Sequence, residues 1–341
     1  MSKDKQLYTF YVNDNEANKR DYKFKDNKVD TTKYNVVTFL PKALFIQFMR
    51  PANIYFLFCA IIQCIPKISP LGPETAVIPI VIVLSVSLIR EGIEDCARAR
   101  LDKEQNSEPA EVYRDNQWEK TQSGNLFIGE VVEVKQDDAF PADLILIDSS
   151  LPEGICFIET GTLDGEKTLK LKNSPTQTAG KLNVNEKKID NFNMKGDVIC
   201  DHPHPELYQL NGKLNITLEN ENFEIPLDAK QLLLKGAKLR NTPWIIGIVC
   251  YTGHNCKIMK NSKEPRVKYS SVESLMNKSL VIIFIVQAIL CLISAILNVS
   301  YYKKNLKEIN EIISIKEEKL GVEGVLSYFT YMLLLNSLIP I

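Results

Sequence analysis

The sequence predicts an α+β membrane protein in which two transmembrane helical hairpins flank a β-rich cytosolic domain. Three observations predict it. Leu280–Val299 runs 20 residues without a charge, the length a helix needs to cross about 30 Å of hydrocarbon. Two shorter apolar segments nearer the N-terminus are joined by a link rich in proline. Between these regions lies a long polar stretch whose apolar residues fall into short, turn-bounded runs of β type.

The N-terminal segment, residues 1–40, opens MSKDKQLYTFYVNDN and has no apolar core of signal-peptide type. The first hairpin is expected over 41–98. Its helices are Ile54–Ile65, extending back through Ala43–Phe48, and Thr75–Ile89, with PKISPLGPE as the turn. Alone, each segment is short enough for a core helix or a re-entrant segment; paired across a prolyl turn they read as a hairpin through the bilayer. Charge orients it. Residues 1–53 carry ten Lys and Arg and the link carries only Lys67, so the positive-inside rule puts the N-terminus and the next long loop in the cytosol.

That loop, Arg90–Ser279, is long enough for a domain, and 99–275 reads as a β-rich one. It is entered by the helix REGIEDCARARLDKEQN, whose charges pair at i,i+4. Strands are predicted at AEVYR, QWEK, NLFIGEVVEVK and ADLILID. A second set follows at LYQLNGKLNITL, QLLLKGAKL and WIIGIVCY. Leu171–Pro205 is polar and interrupted by proline, and reads as a surface insertion. Residues 276–341 give the third helix, an outside loop over Ser300–Gly324, and a fourth apolar segment, Val325–Ile341, that reaches the last residue. A chain ending inside a helix is expected to be a fragment of a longer product. A native mass near the calculated 38.7 kDa would instead favour a truncated, non-catalytic protein that binds or regulates a transporter.

Composition excludes some classes. A net charge of -1 supplies no basic face for a phosphate backbone, so no nucleic-acid partner is expected. The eight cysteines are scattered without Cys-x-x-Cys spacing, which fits reduced thiols rather than a disulfide framework. Cys200, His202 and His204 have superficial metal spacing but lack a fourth ligand and are separated by prolines, so no metal site is expected.

Several stretches carry a more specific signal. TKYNVVTFLPKALFIQFMRPANIYFLF, QCIPKISPLGPETAVIPI, GEVVEVKQDDAFPADLILIDSS, LLLKGAKLRNTPWIIGIVCYTGHNCKIMKNS and NSLIPI stand in this order along the chain. Together they resemble the phospholipid flippase branch of the P-type ATPases over most of residues 31–341. The resemblance implies that the β-rich domain is an actuator domain. It also implies a cycle in which ATP, with Mg, phosphorylates an aspartate of the full-length protein, and the actuator loop then hydrolyses that aspartyl phosphate. No cofactor is expected on this segment itself. Phospholipid, the bilayer and a small membrane-anchored accessory subunit are the implied partners; lipid would move to the cytosolic leaflet.

The same resemblance assigns residues. The family's Asp-Gly-Glu-Thr motif is found as Asp164-Gly165-Glu166-Lys167. Gly165 lets a tight loop approach the phosphoryl group, and Glu166 can position the attacking water and take its proton. Asp-Gly is a frequent turn pair, and spacing alone leaves an acidic surface turn; the surrounding ETGTLDGEKTLK supplies the catalytic reading. Departures bear on activity. Lys167 replaces threonine, and a cation beside Glu166 disfavours proton uptake while offering a phosphate ligand. Thr168 replaces asparagine, and Cys256 and Tyr269 stand where threonine and arginine are expected. In the membrane the resemblance implies a lipid path touching Gln63, Cys64, Asn336, Ser337, Pro340 and Ile341, the last as a hydrophobic gate. Without it, Gln63 reads as a helix–helix hydrogen-bonding residue and Cys64 as packing. A cation-transporting P-type ATPase is the rival reading, but Ile54–Ile65, Leu280–Val299 and Val325–Ile341 hold no carboxylate to serve as an ion ligand.

Overall fold

The computed structural model describes residues 8–22, 26–66, 68–69, 72–180, 184–185, 188–189, 195–218, 221–262, 271–305 and 320–336. These fall into two units, one of residues up to Thr31 with Arg98–Glu264, the other of Thr32–Ala97 with Pro265–Ile341.

The first unit is built on a six-stranded antiparallel sheet. It holds β2 (Pro109–Arg114), β3 (Gln117–Gln122), β4 (Val131–Lys135), β5 (Asp143–Ser149), β13 (Leu232–Leu233) and β15 (Trp244–Tyr251), in the order β13-β5-β15-β4-β2-β3. Every residue of β5 is buried, because both faces of the sheet are covered. On one face Ile145, Ile246 and Ile248 pack with Phe10, Val198, Leu214 and Ile225. These last come from a four-stranded sheet of β1 (Tyr8–Tyr11), β10 (Lys195–Cys200), β11 (Gly212–Leu218) and β12 (Glu221–Leu227). On the other face Val132, Leu144 and Val249 pack with Cys156, Ile158 and Leu239. These belong to a three-stranded sheet of β6 (Ile155–Glu159), β7 (Leu169–Asn173) and β14 (Lys238–Arg240). A strand covered on both faces needs a continuous apolar run, which is why LILI in β5 and IIGIVC in β15 do not alternate. A short hairpin, β8 (Val184–Asn185) with β9 (Lys188–Ile189), stands apart.

Several expectations change. The expected surface insertion Leu171–Pro205 includes β10, which lies between β1 and β11 and buries Val198 and Cys200 completely. KGDVIC is short and polar at its start, so its two inward residues are too few to give a strand signal. NLFIGEVVEVK is a strand only from Val131. Gly129 breaks it at φ 85°, and a Cβ there would sit 2.2 Å from the Tyr11 carbonyl oxygen. QLLLKGAKL is likewise divided into β13 and β14 around Gly236 at φ 83°.

The N-terminal segment up to Thr31 is part of this unit rather than an appendage. β1 adds to β10, and α1 (Asn15–Tyr22) follows it. Asn18 closes the turn by accepting the Tyr11 N–H at 2.8 Å and donating to the Tyr11 and Ile128 carbonyls. Buried Asn27 donates to the Ser123 and Pro141 carbonyls and accepts the Gly253 N–H at 2.8 Å. A buried amide with all these partners satisfied adds orientation as well as stability. Beyond Gly253 comes the short helix α6 (Lys257–Asn261), whose first N–H donates to the buried Asp143 carboxylate at 2.6 Å.

The second unit is helical. It contains α2 (Phe39–Phe48), α3 (Pro51–Gln63), the start of α4 (Glu74–Asn106), α7 (Ser271–Lys304) and α8 (Leu320–Asn336). α2 and α3 are bent by 95° at Met49–Arg50, where Pro51 opens a new helix in the position that suits it. α4 continues unbroken from its apolar start into the charged stretch, with Arg90–Glu94 and Arg100–Glu104 pairs at 3.0 and 3.2 Å. Among the described residues one helix, Ser274–Lys304, is long and apolar enough to cross a membrane, or two spans if the bent pair counts as one. The segments of the first expected hairpin are the bent α2–α3 pair followed by α4. The second lacks its described turn, because residues 306–319 lie outside the described ones. α7 and α8 pack closely: a Cβ on Gly324 would meet Val299 Cγ2 at 2.8 Å. Gln287, buried in α7, donates to the Met332 carbonyl at 2.7 Å and accepts from the Tyr55 hydroxyl at 3.2 Å.

Candidate functional site

The Asp164-Gly165-Glu166 loop is delivered by β6 and a single helical turn, α5 (Gly161–Asp164). Leu163, inside that turn, packs against the cores on both sides of the six-stranded sheet. Thr162 ties it to the Gly236 carbonyl at 2.9 Å. An acidic tripeptide is therefore held on a half-buried apolar anchor, which an ordinary surface turn lacks.

Hydrogen bonds then fix the loop's shape. Buried Thr160 donates to the Asp164 carboxylate at 3.0 Å. Asp164 Oδ1 accepts the Glu166 N–H at 2.9 Å. Gly165 ends the turn at φ 78°, and nothing lies within 4 Å of the place a Cβ would occupy. Backbone handedness requires the glycine, and the apex of the loop is open to an approaching group.

Two residues that sequence reasoning did not single out complete the cluster. Lys170 Nζ lies 2.5 Å from Asp164 Oδ2 and 2.9 Å from Glu166 Oε2. The Tyr208 hydroxyl donates to Asp164 Oδ2 and is 3.0 Å from Lys170 Nζ, which also sits 4.5 Å above the Tyr208 ring. Hydrogen bonds from Lys170 and Tyr208 hold the Asp164 carboxyl well below the usual carboxylate range. Lys170, against the cost of its desolvation, is raised by its bonds to Asp164, Glu166 and Tyr208. Lys170 stands at i+4 from Glu166, a spacing that could have drawn attention to it. Tyr208 had no local signal, being 44 residues from Asp164.

The other predicted residues are dispersed. Lys167 and Thr168 are exposed beside the loop. Cys256 is buried and donates to the Tyr251 carbonyl at 3.2 Å, and burial pushes its thiol up; it is structural. Tyr269 lies outside the described residues. His204 contacts Lys257 Nζ at 3.0 Å and His202 packs edge-on to Tyr8. No group of three or more His, Cys, Asp or Glu is arranged to hold a metal ion among the described residues. In the helical unit Gln63 is buried and donates to Thr75 Oγ1 at 2.6 Å and to the Gly72 carbonyl at 3.3 Å, bracing the prolyl turn. Cys64 caps α3 and is exposed. Asn336 ends α8; Ser337, Pro340 and Ile341 lie outside the described residues.

A buried β-core presenting a braced Asp-Gly-Glu loop narrows the possibilities, and sequence comparison decides among them. The family model described as phospholipid-translocating ATPase N-terminal matches residues 10–77, and the one described as P-type ATPase actuator domain matches 104–200. The chain belongs to the phospholipid-transporting P-type ATPases. It is 37% identical over 333 residues to the phospholipid-transporting ATPase DRS2 of Saccharomyces cerevisiae, covering 97% of this chain and 24% of that protein. The phospholipid-transporting ATPase C887.12 of Schizosaccharomyces pombe is 38% identical over 335 residues, or 97% of this chain and 25% of its own length. The human phospholipid-transporting ATPase IC is 36% identical over 325 residues, 94% of this chain and 25% of its own. The chain thus spans about a quarter of the length of these relatives. Along the chain the N-terminal family model is followed by the actuator-domain model, the order in which the structure places the N-terminal strand and the β-rich unit.

Proposed function

We propose that this chain serves as the front end of an ATP-driven flippase that moves phospholipid to the cytosolic leaflet, and that its Asp164-Gly165-Glu166 loop hydrolyses the aspartyl-phosphate intermediate. The observation that carries this reading is the geometry of the loop. Its apex at Gly165 is open, its base is anchored on Leu163, and Glu166 keeps 60% of its side-chain surface exposed against 19% for Asp164. Glu166 is the group exposed to meet a water molecule at an incoming phosphoryl group, while Asp164 is turned inward to shape the loop.

In the hydrolytic step a water oxygen bonds to phosphorus and the bond to the aspartyl oxygen breaks. The aspartate leaves as a carboxylate, and Glu166 takes the proton that water loses. ATP and Mg are assigned to the full-length protein; the described residues supply no metal-holding set, and the role given to this chain does not draw on one.

The membrane arrangement belongs to the same proposal. α7 with α8, and the bent α2–α3 pair with the apolar start of α4, form two hairpins. The N-terminus and actuator domain lie in the cytosol, in keeping with the ten Lys and Arg of residues 1–53. Gln63, Cys64, Asn336, Ser337, Pro340 and Ile341 line the lipid path, and a membrane-anchored accessory subunit is a partner. The domains are 1–40, 41–98, 99–275 and 276–341, with the N-terminal strand folded onto the actuator domain.

The test is a Glu166→Gln change in a full-length protein carrying this chain, reconstituted with phospholipid. Phosphoenzyme should accumulate and lipid transport stop, with loss of about 100-fold or more in dephosphorylation. Normal turnover in that variant removes Glu166 from the catalytic role.

A further inference from the structure

The Lys170–Tyr208 pair is not needed to explain why the loop folds, since Thr160, Leu163 and Thr162 already hold it. The pair instead sits on the two carboxylates. Lys170 Nζ bridges Asp164 at 2.5 Å and Glu166 at 2.9 Å, so the direction of the Glu166 side chain is set by a cation shared with Asp164. Only 25% of the Lys170 side chain is exposed, which strengthens its attraction for both groups relative to a solvated lysine.

Tyr208 reaches this cluster from a distant segment whose attachment is specific. The stretch between β10 and β11 is pinned at its base by Asp201, whose carboxylate accepts the Asn211 N–H at 3.2 Å and Asn211 Nδ2 at 2.8 Å. The Asp201 carbonyl accepts the Tyr251 hydroxyl at 2.6 Å. Midway, buried Lys257 contacts His204 Nε2 at 3.0 Å and donates to the Glu206 carbonyl at 3.2 Å. Two residues on, Tyr208 lies across Lys170. A tyrosine held this way places its hydroxyl on Asp164 and its ring under the ammonium at little further entropic cost.

We propose that Lys170 and Tyr208 are positioning residues for the hydrolytic step: Lys170 aims the Glu166 carboxylate and couples it to Asp164, and Tyr208 locks Lys170 in that pose. The assignment rests on the proposed role of Glu166. It gives the stretch between β10 and β11 a task at the actuator loop, and it makes Lys170, rather than Lys167, the cation that governs Glu166.

The experiment follows dephosphorylation of preformed phosphoenzyme in the full-length protein, over a range of pH, for wild type, Glu166→Gln, Lys170→Met, Lys170→Arg and Tyr208→Phe. Phosphoenzyme yield reports whether each variant is folded. Lys170→Met should slow dephosphorylation about ten- to a hundredfold, less than loss of the base itself, and Lys170→Arg should recover most of the rate. In Lys170→Met and Tyr208→Phe the acid-side fall in rate should move to higher pH, because Asp164 loses the donors that keep it ionised. A Glu166→Gln block combined with wild-type rates and pH profiles in the Lys170 and Tyr208 variants overturns this proposal and leaves the role of Glu166 intact. A slow Lys170→Met that Lys170→Arg does not rescue, with an unmoved pH profile, also overturns it, since a merely structural residue behaves so. If Glu166→Gln turns over normally, the underlying reading fails first.

Discussion

Glu130, with no exposed surface, accepts Arg114 Nε at 2.7 Å in the interior of the first unit. The same carboxylate accepts Asn15 Nδ2 at 2.6 Å and the Phe127 N–H at 2.8 Å. One buried charge therefore joins the N-terminal helix α1, the strand β2 and the turn before β4. Removing one partner of such a pair leaves the other uncompensated. Arg114→Met should destabilise by ~3 kcal/mol, and more than Glu130→Gln, which strands only a partly exposed arginine. Thermal unfolding in detergent measures both; equal effects would show that burial of Glu130 is not the controlling term.

Gly129 makes the N-terminal strand sensitive to a single methyl group. Its φ is 85°, and a Cβ at this position would lie 2.2 Å from the Tyr11 carbonyl oxygen, which leaves no room for alanine. Gly129→Ala should cost ~2–4 kcal/mol. Hydrogen exchange should show the loss first in β1, because Asn13 donates its N–H to the Gly129 carbonyl at 2.8 Å.

Glu111 and Glu133 face each other directly across β2 and β4, with Lys135 Nζ 2.9 Å from both Glu111 oxygens. Burial, and then the neighbouring Glu111, push Glu133 up to about 7. The unfolded value is about 4.3, so between the two the folded state holds the extra proton. The stability this gives is complete below about pH 4 and is lost as the pH rises to about 7. Glu133→Gln should remove that fall. Relative to wild type it should gain stability at pH 8 and little at pH 4, read from unfolding midpoints at the two pH values.

Within the loop, Lys167→Thr should change dephosphorylation by less than about threefold, because the cation on Glu166 is Lys170 and Lys167 is exposed. Stopped-quench measurement of phosphoenzyme decay decides it; an effect as large as that of Lys170→Met would return the governing role to Lys167.

In the helices, Gln287→Leu should weaken the association of α7 with α8 and α3 by ~0.6–1.7 kcal/mol, since it removes the bonds to the Met332 carbonyl and Tyr55. Resistance to unfolding by a harsher detergent is the measurement. Unchanged resistance would mean that Gln287 finds other partners once its bonds are gone.

By itself the sequence determined the local features. The charge-free run at Leu280–Val299 makes a long helix because its apolar residues run on far past the length of a strand. REGIEDCARARLDKEQN makes a helix because its charges pair along one face, and LILI and IIGIVC make central strands because both faces are buried. The turn at Asp164-Gly165-Glu166 was also legible, since Asp-Gly is a signal carried by adjacent residues, while its hydrolytic role is a proposal that the resemblance suggested. Only the tertiary structure decided what surrounds that loop. β10 is invisible locally because it gains its burial from β1 and β11, which are distant in the chain. Tyr208 reaches Asp164 only because Lys257, Asp201 and Tyr251 fix the stretch that carries it. The choice of Lys170 over Lys167 as the partner of Glu166 follows from side-chain direction: after the left-handed turn at Gly165, Lys170 returns on β7 toward the two carboxylates. Sequence proximity points to Lys167, and backbone geometry brings Lys170 to the carboxylates.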